Sequence, residues 1–464
     1  MKLNRWNELD AAKPQAWWRT MRFGVLTIAL LMMASTIGAS PQIPAPPQTR
    51  PIALVGGTVH PVSGPEIVDG TVLFDKGKII AVGKDVALPK DVEKVDVTDL
   101  HVYPGLIDGD SHLGLVEIQA VRATVDEIET GRINPNARAI AAVNPDSELI
   151  PVTRSNGILV TVTSPDGPLI CGKSGLIQLD GWTWEEMAVK QELAMHIHWP
   201  RVAPIQNWPT DEAAAIHMGD KSEMVQELKK AFASARAYRD AKVAAANGGN
   251  RPPDVDIRWE AMIPVLEGKL PVIVEAEEIQ QIQAAVAFFH KEKIKIMIFG
   301  GYDAPYCADL LKKYDVPVIV AAVLRLPMRP HDPYDTPFTV PKRLHDAGVK
   351  FCIAGVGRMG NMRNLPYHAA MAAAHGLPRD EALKSLTLYP AQIFGVADRL
   401  GSLEANKDAT LIVTTGDPLD IRSNVMQAYI QGRKIDLGDR HKTLWHKYEE
   451  KYKQNKAANA GRGE

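Results

Sequence analysis

The run Val102-Tyr-Pro-Gly-Leu-Ile-Asp-Gly-Asp-Ser-His-Leu-Gly114 begins apolar and ends in alternating polar side chains. If Leu106 to His112 is a strand, Asp108, Asp110 and His112 share one face, because strand side chains alternate. A carboxylate and an imidazole two apart at a strand end can hold one divalent metal. The same residues also suit a strand running into a polar turn. A second pair, His196 and His198 in Met195-His-Ile-His-Trp199, falls on one strand face. It reads either as two ligands or as buried, hydrogen-bonded histidine. His331-Asp332 offers an acid/base pair or a solvated loop. Cys171, Cys307 and Cys352 show no CxxC or Cys/His spacing and read as buried free thiols.

These residues need elements to position them. Strand-like runs cover Leu106–Asp108, Ile158–Thr163, Gly175–Leu179, Met195–His198, Val272–Glu275, Ile294–Phe299, Val316–Val320 and Val349–Ala354. Helical runs cover Ser222–Ala246, Glu277–Lys291, Ala304–Lys313, Pro366–Ala374 and Arg379–Ser385. Strand then helix, repeated toward eight times, predicts a closed parallel (β/α)8 barrel of TIM type, with chemistry at the strands' C-terminal ends. Glu117 to Asn156 fits neither pattern. The Pro-rich Leu324–Pro341 follows the seventh strand and suits a lid. Gly167-Pro-Leu-Ile-Cys-Gly-Lys-Ser174 matches the spacing of a phosphate-binding loop. Pro168, Leu169 and Ile170 stiffen it and a strand-like run follows, so a chance match in a barrel loop is the better reading.

Short strands between Gly, Pro and Asp fill Ile52 to Tyr103, and similar pieces recur at Ala409–Thr414, Val425–Ile430 and Gly432–Ile435. At 464 residues, with 45% hydrophobic and 23% charged residues, the chain has room for a large and a small domain. A net charge of −2 gives no global sign of a nucleic-acid partner. Arg19 and Arg22 before the apolar run Phe23–Ala39 and the small Gly38-Ala-Ser40 suggest a secretory signal or a retained membrane anchor over residues 1–40. Residues 41–51 read as a Pro-rich linker, and 438–464 as a charged tail, helical at first and disordered at its end.

Pro104-Gly-Leu-Ile-Asp-Gly-Asp-Ser-His112 resembles the first barrel strand of the amidohydrolase superfamily, P-G-[LF]-I-D-x-H-x-H. His112 matches the second metal histidine, and Asp110 stands in place of the first. Gly401-Ser-Leu-Glu-Ala-Asn-Lys-Asp-Ala-Thr-Leu411 resembles G-S-L-x-x-G-K-x-A-D-L, with Asn406 and Thr410 replacing Gly and Asp. Thr387-Leu-Tyr-Pro-Ala resembles the T-x-N-P-A of the imidazolonepropionase- and prolidase-like branch. The resemblance implies a barrel over 104–394 beside a composite β-sandwich of 52–103 plus 395–437. It implies a metal-dependent hydrolase of a non-peptide or small-amide carbon–nitrogen bond, with zinc or manganese. The implied ligands are Asp110, His112 and Glu275, which takes the fifth-strand histidine position, with His198 a fourth. No second histidine follows the sixth strand, and Phe351–Gly357 lacks the eighth-strand aspartate, so no catalytic residue is assigned. The alternative is a catalytically silent member that binds a small molecule or serves as a structural subunit. Homo- or hetero-oligomers stay open, and export would place the protein in the periplasm or on a membrane.

Overall fold

The structure is a computed structural model that describes residues 42–201, 221–248, 251–355 and 359–460. The signal or anchor reading of residues 1–40 therefore falls outside the described residues. Residues 42–51 are not a free linker. The Ala45 amide donates to Asp180 and the Gln48 side chain to the Phe74 carbonyl.

Eight strands make the barrel, numbered here β1 to β8: Leu106–Ser111, Ile158–Thr163, Ile170–Gln178, Ala188–His198, Val272–Ala276, Ile296–Gly300, Val318–Ala321 and Phe351–Ala354. They pair in sequence order into one sheet. Both faces are buried, as continuous Val/Ile/Leu runs require. One face packs outward on the helices, through residues such as Val272, Val274, Ile282 and Phe289. The other fills the interior with Ile107, Val160, Val162, Ile273, Met297 and Ile319, plugged by Phe394 and Leu400.

The all-parallel expectation fails at one strand. β3 runs antiparallel to both β2 and β4, while the remaining pairs are parallel. Only the short helix Trp184–Met187 lies between β2 and β4. With no crossover helix, successive strands can only pair antiparallel through tight connections. The segment that fitted no pattern covers this meander. Residues 127–138 run beside β3 and its lead-in, with isolated bridges Ile128↔Asp166, Ile133↔Ile170 and Arg138↔Lys173. Gly167–Ser174 runs into β3, which already holds Ile170 to Ser174, rather than into a helix N-terminus, in keeping with a chance phosphate-loop match.

β1 and β8 do not pair directly. The Ile353 and Ile107 amides donate to the Ser385 and Leu386 carbonyls, and the Asp108 carboxylate accepts from the Gly355 amide at 2.9 Å. The seam is thus filled by a borrowed piece of backbone and one side chain.

The second sheet joins Ile52–Val59, Ile67–Asp75, Lys78–Gly83, Glu93–Asp96 and His101–Pro104 to Leu411–Thr414, Val425–Ile430 and Arg433–Lys434. It is one continuous sheet that folds back on itself: the Ile79 amide donates to the Lys407 carbonyl and the Ala409 amide to Gly77. Leu54, Phe74, Val102, Leu411 and Tyr429 form its core. Gly105 is the step from this sheet into β1, its amide bonded to the Thr410 carbonyl. A last helix, Arg440–Ala460, follows. Among the described residues no helix is long and apolar enough to cross a membrane.

Candidate active site

The four sequence-derived candidates line one cavity. Asp110, His112, His198 and Glu275 surround about 180 Å³ at the C-terminal mouth of the barrel, with Ser164, Asp166, His196 and Phe299. Strand alternation explains most of this. Ala194, His196 and His198 on β4 face inward with Ile273 and Glu275 on β5, and parallel register sets Glu275 directly beside His198. His198 Nε2 and Glu275 Oε2 are 2.9 Å apart, with Asp166 Oδ1 at 3.5 Å.

β1 departs from simple alternation. Asp108 pairs with Thr161 but Ser111 with Thr163, so one extra residue bulges out between them. The bulge separates Asp108 from its expected companions. Asp110 and His112 line the cavity, whereas Asp108 turns to the seam, where its Oδ2 is buried without a partner. His112 Nδ1 lies 2.9 Å from the Ser164 carbonyl and 3.5 Å from Glu127. A neutral ring donating there keeps its lone pair on Nε2. Ser164, Asp166 and Glu127 were not anticipated, because they sit in irregular segments without periodicity.

Burial sets the electrostatics. It pushes the Asp110 carboxyl up to about 6 despite His112 and a Ser164 hydrogen bond, with Glu275 and Asp166 adding repulsion. Asp108 rises to about 7, again through burial, which the Gly355 amide only partly offsets. His196 falls to about 3 through burial and the neighbouring His198 and His112, so its ring is neutral, and its buried Nε2 has no partner. His198 is also buried, which works against its charge, but Cys171 and Glu275 hold it well above the usual histidine range. Cys171 is buried beside His198, and burial raises its thiol.

The donor set does not fit a metal as it stands. Among the described residues no three His, Cys, Asp or Glu side chains converge closely enough to hold an ion. His198 and Glu275 contact each other instead. What the arrangement offers is a carboxylate and an imidazolium facing one small space.

The other candidates lie elsewhere. His331 is exposed, and Asp332 accepts from the Tyr302 hydroxyl at 2.8 Å, anchoring the loop after β7. Arg325 in that loop clamps Glu277 at 2.6 and 3.1 Å and stacks over Tyr302, while Arg329 pairs with Asp303. The Pro-rich loop is therefore strapped to the ends of β5 and β6, but none of its residues lines the cavity. Val356–Arg358, after β8, lie outside the described residues.

Residues 336–437 match the amidohydrolase family. "Amidohydrolase tasK" of Hapsidospora irregularis is 25% identical over 181 residues, which are 38% of this chain and 18% of that protein. The chain therefore spans under a fifth of that relative's length. An amidohydrolase from Thermotoga maritima MSB8 superposes with a TM-score of 0.75 at 24% identity, covering 83% of this chain and 99% of that one. A prolidase solved with N-methylphosphonate-L-proline gives 0.50 at 18% identity, over 83% and 99%. Barrel and companion sheet together share the fold of the Thermotoga maritima amidohydrolase, and residues 336–437 match the amidohydrolase family's sequence pattern.

Proposed function

We propose that the protein hydrolyses a carbon–nitrogen bond of a small amide or cyclic amide in this cavity. One observation carries the reading: Asp110, His112, His198 and Glu275, from strands far apart in sequence, meet at the barrel mouth. The volume is below the 300 to 1,000 Å³, roughly, of sites for drug-sized ligands, so the substrate is small. Asp110 takes a proton from water as its oxygen adds to the carbonyl carbon. His198, held protonated beside Glu275, gives a proton to the nitrogen as the carbon–nitrogen bond breaks, leaving a carboxylic acid and an amine. Glu275 orients the ring, as a carboxylate does for an acid/base histidine.

The silent-member reading is favoured by a different observation, the direct His198–Glu275 contact where a ligand set would have to open. A screen of cyclic amides and proline-containing dipeptides separates the two. Wild type is expected to turn over at least one, and Asp110→Asn and His198→Gln each to lose about 10² or more in kcat/KM. Absence of turnover alongside saturable small-molecule binding would establish the silent reading. Stoichiometric zinc or manganese in protein purified without chelator would replace the acid/base scheme with a metal one. Export rests on the sequence alone, on Arg19, Arg22 and the apolar run Phe23–Ala39.

A further inference from the structure

The helix Arg440–Ala460 projects from the domain with little packed against it. Every side chain from His441 to Lys456 is exposed, except the half-buried Glu449. Helix periodicity places Leu444, Tyr448, His441, Tyr452 and Trp445 within one arc of about 100°. Trp445 and Tyr452 are 61% and 63% exposed, in a helix whose remaining surface is polar. Arg440, Lys447 and Lys451 border the arc on one side, and Lys456, Lys442 and Lys453 on the other, against only Glu449 and Glu450. The ammonium of Lys451 sits over the Tyr448 ring. The basic balance is thus local, since the whole chain carries a charge of −2.

A helix in a protein draws most of its stability from packing one face, and here Leu444, Trp445, Tyr448 and Tyr452 are left exposed. We propose that this helix lies along an anionic bilayer surface with its aromatic arc at the headgroup level. Trp and Tyr suit that boundary because each has an apolar ring and a polar tip. Flanking lysines reach up to anionic headgroups while their stems stay against the apolar layer. A second copy of the helix fits the face less well. Paired helices want Leu, Ile or Val at successive seam positions, and the arc holds one Leu. Lysines on both flanks would also face lysines. The placement within the fold agrees. Gln42, the first described residue, donates to the Gly438 carbonyl, so the chain enters the domain beside the first turn of this helix. The residues before it include the apolar run Phe23–Ala39.

The test reads Trp445 itself, so that binding through the N-terminal segment does not confuse it. Full-length protein is mixed with vesicles of phosphatidylglycerol carrying brominated acyl chains. The wild type is expected to be quenched more than Trp445→Phe. That difference should disappear with brominated phosphatidylcholine and in high salt. Vesicle affinity of a Trp445→Ala/Tyr448→Ala/Tyr452→Ala variant should drop tenfold or more. Equal quenching of wild type and Trp445→Phe would overturn the proposal. So would a dimer in sedimentation velocity that the triple variant dissolves, which would make the occupant a second copy.

Discussion

His368 shows how a single buried side chain ties the barrel wall to its loop. It is 3% exposed on the helix Leu365–Ala374, and its Nδ1 accepts the Leu324 amide at 3.2 Å, just after β7. Accepting requires the neutral ring, and burial lowers its pKa to about 4. Between about 6.5 and 4 the unfolded chain binds the proton more readily than the folded one. The contribution is therefore complete above the unfolded value and lost as pH falls through this window, worth at most about 3 kcal/mol. A His368→Gln variant, whose amide oxygen can still accept from Leu324, is expected to lose less stability than wild type between pH 7 and 4.5 in urea titrations. Equal losses would mean that the ring titrates normally. At this scale the sequence was informative where alternation operates: His198 and Glu275 are strand-end residues and fell where expected. Asp108 did not, because a bulge adds a residue that no pattern of apolar positions announces. Asn406, standing where glycine is usual, does adopt the left-handed conformation (φ 72°) that the turn requires.

Among the elements, the strapped loop after β7 is the one most exposed to a single change. Glu277 is 7% exposed and accepts from Arg325 Nη1 and Nη2 and from the Tyr302 amide at 2.9 Å. Removing its charge leaves Arg325 without a counter-ion against the Tyr302 ring. Breaking a buried pair costs about 3 to 5 kcal/mol, and Arg325 is partly exposed, so Glu277→Gln is expected near the lower end. Limited proteolysis is then expected to cut within residues 324–335 faster than in wild type; unchanged cleavage would show that the prolines alone hold the loop. The reversed β3 was less legible. Its residues, Ile170 to Gln178, are buried throughout like those of β2, and burial on both faces carries no mark of strand direction. The signal was the lack of a crossover-length helix between Thr163 and Ala188, which a count of strands alone passes over.

For the whole molecule the order of strands followed from the sequence, but the manner of closure did not. Closure depends on how near β1 comes to β7 and β8, and no side-chain pattern encodes that distance. The informative residue is Gly109. A Cβ there would lie 2.9 Å from Ile319 Cγ2 and 3.4 Å from both Ala354 Cβ and Cys352 Sγ, so β1 crosses the interior with no room to spare. These neighbours belong to the packed interior and cannot swing away as a flexible surface side chain would. Gly109→Ala is therefore expected to destabilise the protein by about 1 to 3 kcal/mol. Gly64→Ala, with nothing within 4 Å of the added carbon, serves as the control and should stay within about 0.5 kcal/mol. A lost contact and a steric clash are distinguished by the second site. If the cost is the clash with Ile319, then Ile319→Ala must cost less in the Gly109→Ala background than in wild type. Strict additivity in thermal melts would place the strain elsewhere, at the bulge between Asp108 and Ser111. The seam would then close through the Ser385-Leu386 backbone and the Asp108 carboxylate rather than through the fit of β1 against β7.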